Sequence, residues 1–84
     1  MKKNYVFPAI FTKESRGISI EFPDLPGCLS CADNYRQALH HAKEAMHLHL
    51  KGMLEDREKI PQPSELENIS LKRHEILVMI KTEI

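Results

Sequence analysis

The run Phe22-Pro23-Asp24-Leu25-Pro26-Gly27-Cys28 constrains this chain more than any other stretch, because two prolines and a glycine within five positions force a defined bend. Pro23 pushes Phe22 towards extended backbone, and Pro26 does the same to Leu25. Gly27 can take the positive φ that a type II turn asks of the residue after proline. Leu25 is then a lone apolar side chain on a rigid turn. It is either a plug folded back over a sheet or a presented contact, and turn chemistry alone leaves both readings open.

The segments on either side read as strands. Tyr5, Phe7, Ala9 and Phe11 share one parity while Val6 and Ile10 take the other, the pattern of a strand buried on both faces from Tyr5 to Thr12. Pro8 lacks a ladder donor, so it predicts a bulge or a backbone nitrogen that faces away from any neighbour. Lys13 to Gly17 is a polar turn, after which Ile18, Ile20 and Phe22 alternate with Ser19 and Glu21 to complete a hairpin. Cys28 to Ala32 supplies a third short strand beyond the bend, giving an antiparallel meander.

At Asn34 the period changes. Asn34 with Gln37 three residues on has the form of a capping box. Tyr35, Ala38, Leu39, Ala42, Met46, His49 and Met53 recur at three- and four-residue steps, so a long helix is expected to lay this face on the sheet. His40, Glu44, His47 and Lys51 fall on the solvated side, and Gly52 weakens the last turns. Pro61 and Pro63 are expected to end the helix, and Ser64-Glu65-Leu66-Glu67 has the signature of one short helical turn. Ile76 to Ile80 is the most continuously apolar run and reads as a strand covered on both faces. A helix feeding such a strand is half of a crossover unit, which predicts that it joins the sheet parallel to a neighbour.

The 84 residues form one domain, 1–84. A chain of this size buries only roughly 60% of its unfolded surface. A homodimer or higher oligomer is therefore expected. Twelve basic residues balance twelve acidic ones, which argues against a broad cationic grip on nucleic acid. The apolar run behind Lys2 and Lys3 is short and holds Pro8, so a secretory signal is not expected, and nothing is long enough to span a membrane. Two cysteines without export signals fit a reducing cytoplasm.

Taken together, Phe7-Pro8-Ala9, the bend from Phe22 to Cys28, Asp33 before the helix, Ala38-Leu39 with Ala42-Lys43-Glu44-Ala45 inside it, and Ile60-Pro61 with Pro63-Ser64 give a chain that resembles the HicB-like antitoxin family over essentially its whole length. The resemblance implies an α+β, partial RNase H-like fold of order β-β-β-α-β. It also implies a binding module that neutralises a HicA-type toxin, a small RNase that degrades messenger RNA. Ala32 departs from the family pattern, which usually has glycine there. Full-length antitoxins typically continue into an operator-binding domain. Residues 1–84 alone are not expected to bind DNA sequence-specifically, since their strands and helix are committed to one sheet.

Several residue sets invite a chemical reading. Cys28-Leu29-Ser30-Cys31 has C-x-x-C spacing, but on a strand residues three apart point to opposite faces, and zinc would need two further ligands. His40 and His47 lie two helical turns apart, too far for one ion, and His41 with Glu44 offers only two groups. His49 reads as a packed or partly buried core histidine rather than a ligand. A metal-dependent RNase H-like nuclease is the rival function, yet Glu14, Glu21, Asp24 and Asp33 show no convergence on a two-metal site. No enzymatic activity, cofactor or metal is expected. A third reading is an orphan self-associating domain. The expected toxin contact is the bend itself: Pro23, Asp24, Leu25, Pro26, Gly27 and Cys28. Asp24 either binds the backbone of its own turn or offers its carboxylate to a basic partner.

Overall fold

The computed structural model describes residues 2–84 and contains four strands and one long helix, in the order β1 (Asn4–Glu14), β2 (Gly17–Glu21), β3 (Leu29–Ala32), α1 (Tyr35–Glu55) and β4 (Glu75–Glu83). A 3-10 turn, Leu66–Asn68, interrupts the return from α1 to β4. The strands form one sheet in the order β3-β2-β1-β4, and every neighbouring pair is antiparallel. The meander β1-β2-β3 is therefore as the alternation predicts.

The direction of β4 is not. It pairs with β1 from Asn4 opposite Glu83 to Thr12 opposite Glu75, antiparallel throughout, which overturns the expected parallel strand. The cause is the path of residues 56–74. At Ser64 the segment is tied to Asp24 in the bend, at one end of the sheet. By His74 it has reached the other end, where the His74 C=O accepts from the Lys13 N–H at 2.9 Å. A direct crossover from α1 would enter β4 at the bend end. This second traverse of the sheet reverses the strand, and with it the parallel element of the RNase H-like arrangement. Nor is β4 covered on both faces, since Ile76 and Met79 stay exposed.

Alternation explains the core. Phe7, Ala9 and Phe11 of β1, Ile18 and Ile20 of β2 and Ile80 of β4 face α1, and all are buried. Pro8 and Ile10 lie on the other face and are also buried. Pro8 costs no ladder bond. Lys3 and Ile84 exchange backbone bonds at 2.8 and 2.9 Å, so odd residues of β1 bond to β4 and even ones turn towards β2. Opposite Pro8, β2 has already ended and Phe22 has turned to Cys28.

α1 begins as the capping box requires, with the Gln37 N–H donating to Asn34 Oδ1 at 2.9 Å. The Gln37 side chain returns to the N–H of Asp33, one residue earlier than in the standard box. Its buried line is Ala38, Ala42, Met46 and Leu50, a strict four-residue step. Leu50 is missing from the expected face, whereas Tyr35 and Leu39, expected on it, are exposed. The prolines do not stop this helix. It ends at Glu55 in a Schellman motif, with Arg57 at φ 58, its N–H on the Leu54 C=O and the Glu58 N–H on the Met53 C=O. Pro61 and Pro63 lie further along the return segment.

Candidate functional site

Two consecutive turns build the bend. The Leu25 N–H donates to the Phe22 C=O and the Cys28 N–H to the Leu25 C=O, each at 3.0 Å, while the Phe22 N–H closes the whole bend onto the Cys28 C=O at 3.3 Å. In the second turn Pro26 and Gly27 occupy the central positions, and Gly27 has φ 88, as the sequence requires of a type II turn. The six expected contact residues divide by burial. Pro23, Pro26 and Gly27 are exposed and Asp24 is half-buried. Leu25 and Cys28, at 1% and 3% exposure, point into the core. Leu25 is thus the plug rather than a presented contact, because the two turns aim it at the sheet and helix while the prolines stay outside.

Asp24 does not bind the backbone of its own turn. Its carboxylate accepts both the backbone N–H of Ser64, at 2.8 Å, and the Ser64 hydroxyl. Forty positions away in sequence, Ser64 is thereby spent on the bend, and the 3-10 turn that follows has Glu65 at its cap position, with no side-chain cap bond. Beside the bend a groove separates β3 from α1, lined by Gly27, Leu29, His41, Glu44, Leu48 and His49 among others. Leu29 and Leu48 are 66% and 63% exposed, the most exposed large apolar side chains among the described residues. They extend the bend into a partly apolar surface. Neither was singled out by sequence reasoning, since a leucine on an edge strand or a helix flank looks like core.

Two of the five histidines tie elements together. His41 Nδ1 lies 2.7 Å from the Cys31 C=O and ties the start of α1 to β3. His47, expected in solvent, is half-buried with Nδ1 2.9 Å from the hydroxyl of Thr82, a buried polar side chain of β4. Among the described residues no group of three or more His, Cys, Asp or Glu side chains could hold a metal ion.

Residues 7–82 match the model of the HicB-like antitoxin of bacterial toxin-antitoxin systems. The chain belongs to the HicB-like antitoxin family. It is similar to an uncharacterized 14.9 kDa protein of Haemophilus phage HP1, 39% identical over 62 residues covering 74% of this chain and 47% of that protein. It is also similar to antitoxin HicB 2 of Photorhabdus laumondii, 36% identical over 64 residues covering 76% of this chain and 46% of that one. The chain thus spans about half the length of the curated relatives it matches. In fold it resembles a chain of the HicA3 and HicB3 toxin-antitoxin complex, with TM-score 0.74 and 23% identity over 90% of this chain and 95% of that one.

The family is one of antitoxins rather than of enzymes. Glu14 and Asp33 sit at the hairpin end of the sheet, Glu21 and Asp24 at the bend end, so the carboxylates that two-metal hydrolysis would gather are held apart by the length of β2. Nor do the cysteines of this HicB-like chain form a redox pair. Both are free, Cys28 buried and Cys31 exposed. Burial pushes the Cys28 thiol up from 9.0 to about 11. The thiolate is the nucleophile, so at pH 8 an alkylating reagent should label Cys31 within minutes and leave Cys28 untouched until the protein unfolds. Because the unfolded thiol ionises near 9.0 and the buried one only near 11, this group leaves stability unchanged below pH 9 and lowers it as pH climbs towards 11. Mass spectrometry after timed labelling checks this; equal rates at the two sites would refute the buried position.

Proposed function

We propose that this chain neutralises a HicA-type toxin by direct contact in the cytoplasm, with the bend and the groove beside it as the contact surface. The observation that carries the reading is a rigid platform: the turns hold Pro23, Pro26 and Gly27 outward while Leu25 anchors them from beneath. Asp24 locks the return segment against it. A surface fixed in advance loses little conformational entropy on binding. Exposed Leu29 and Leu48 add apolar area at the rim, and His41, Glu44 and His49 supply polar groups able to fix orientation. Family membership supports an antitoxin role, and the solved HicA3 and HicB3 complex supports a toxin as its partner.

Neutralisation by this surface needs no chemistry, only occlusion. Co-expression with a HicA-type toxin should restore growth, and the two proteins should co-elute on gel filtration. Leu29→Glu and Leu48→Glu place charge on exposed positions, so the thermal midpoint should stay within a few degrees while toxin affinity falls at least tenfold. A complex unaffected by both changes would move the interface elsewhere. Failure to rescue growth, with no complex formed, would overturn the antitoxin reading itself. DNA recognition is not assigned to residues 1–84: the outer side of α1 mixes His40, Glu44 and Lys51, which offers phosphates no uniform positive track.

A further inference from the structure

The sheet order leaves β4 at an edge, with no strand on its outer side among the described residues. Which of its backbone groups face that edge follows from the ladder to β1. The bonds of Lys3 with Ile84 and of Lys13 with His74 commit the even-numbered residues of β4 to β1. Glu75, Leu77, Met79 and Lys81 therefore turn their N–H and C=O groups outward. Among the described residues, none of these outward groups on Leu77, Met79 or Lys81 has a backbone partner there, and Glu75 has one bond, from its N–H to the Lys72 C=O at 3.2 Å. Nine residues long and bearing Ile76 and Met79 at 44% and 46% exposure, this is an edge of the kind that soluble proteins cover or pair.

We propose that β4 pairs antiparallel with β4 of a second copy of this chain, in the register centred on Val78. Two identical edges can share hydrogen bonds only if odd residues meet odd residues, which limits the choice to registers centred on a single residue. Centred on Val78, Glu75 lies opposite Lys81 of the second copy, and symmetry repeats the pair. Leu77 meets Met79, and Ile76 meets Ile80. The run Glu75-Ile76-Leu77-Val78-Met79-Ile80-Lys81 is thus complementary to its own reverse, with opposite charges outside and apolar residues within. Moving the centre to Leu77 sets Lys81 against Arg73, and moving it to Met79 sets Glu75 against Glu83. Like charges directly opposite are destabilising, so the central register wins.

The edge is also prepared for this. Glu75 and Lys81 share the face away from α1, in register with Thr12 and Val6. The Glu75 carboxylate accepts the Lys72 N–H at 2.6 Å and the Thr12 hydroxyl at 3.5 Å, so it is held on that face before a partner arrives. Lys81 is exposed. A partner strand of unrelated sequence would have no use for this self-complementarity, and that favours a second copy as the occupant. The product is a sheet of order β3-β2-β1-β4 continued through its mirror sequence of strands, with a bend at each outer flank. Pairing through β4 stands whether or not the bend binds a toxin.

Light scattering of the whole chain at micromolar concentration should give twice the 9.7 kDa monomer mass. Glu75→Lys and Lys81→Glu should each weaken the dimer about tenfold or more, since each converts both attractive pairs into repulsive ones. Mixing the two single variants should restore it, because the lysine introduced at position 75 of one copy then faces Lys81 of the other only as its glutamate replacement. Val78→Cys in a Cys31→Ser background should form an intermolecular disulfide on oxidation, as Val78 faces itself in a closely spaced, non-hydrogen-bonded pair. A monomer at all concentrations, a dimer indifferent to both charge reversals, or a mixture that stays monomeric would each overturn the proposal. Should Glu75→Lys fail to fold through loss of the Thr12 and Lys72 contacts, Lys81→Glu and the cysteine variant still decide it.

Discussion

Leu25→Ala should lower the stability of this domain by about 3 kcal/mol, the middle of the range for truncating a fully buried leucine. Leu25 is 1% exposed and packs in the same core cluster as Phe22, Cys28, Met46 and Leu50. Its neighbours cannot collapse into the vacated space, because the turns that present it are fixed by Pro23 and Pro26 and by three backbone bonds. Small domains rest on only about 5–15 kcal/mol in total. The thermal midpoint should drop by more than about 10 °C, since each kcal/mol moves a domain of this size several degrees. Urea titration followed by circular dichroism measures the change directly. Pro26→Ala, at an exposed position of the same turn, should cost under about 1 kcal/mol through the unfolded chain alone. If the two variants lost equal stability, Leu25 would not be the anchor of the bend. The contrast also separates folding from recognition: a toxin-binding defect in Leu25→Ala would follow loss of the platform, not loss of a contact.

Gly17→Ala is expected to be as severe, by about 3 kcal/mol or more, for a different reason. Gly17 has φ 143, a conformation L side chains rarely adopt, and a Cβ built there would stand 2.5 Å from the backbone oxygen of Ala32. Strain of this kind alone costs about 1–3 kcal/mol. The obstructing atom is backbone and belongs to the residue that pairs with Ile18, so relief requires β2 and β3 to separate where α1 begins. Gly52→Ala is the control. Nothing lies within 4 Å of its Cβ and it sits within α1, so this exchange should stabilise by about 0.5–1 kcal/mol. Opposite signs at two glycines, read from denaturation midpoints, are the expected result. A Gly17→Ala protein as stable as its parent would mean that β2 and β3 do not approach so closely.

What the sequence could and could not disclose follows from the range of each interaction. The bend, the hairpin and the start of α1 are encoded within a few residues of where they act, by proline, glycine, two-residue alternation and the Asn34 and Gln37 pair. They were legible. The direction of β4 was not, because it depends on the route of residues 56–74, which carry neither periodicity nor a strong local signal. The same holds for the ties across the chain. That Asp24 would hold Ser64, or His47 the buried Thr82, depends on which parts of a finished fold lie side by side. The slip on α1 was smaller. A face counted at mixed three- and four-residue steps drifts, and it admitted Tyr35 and Leu39 while passing over Leu50. At the candidate site, turn chemistry located the exposed prolines, whereas only the fold could show that Leu25 faces inward and that Leu29 and Leu48 flank the surface.

The ladder between β1 and β4 joins residue 4 to residue 83. On a ribosome, where the chain appears from its N-terminus, β1 can pair with β2 as soon as the hairpin emerges, but its other edge must wait until β4 has been made. Until Glu75–Glu83 has been released, Phe7, Ala9 and Phe11 flank an unzipped side of the sheet, and the ladder opposite Pro8 has no strand to hold it. Closure of the sheet is therefore tied to translation through Glu83. A message broken before that point yields a product with an open apolar edge, fit for chaperones and proteases, rather than a shortened domain that is still whole.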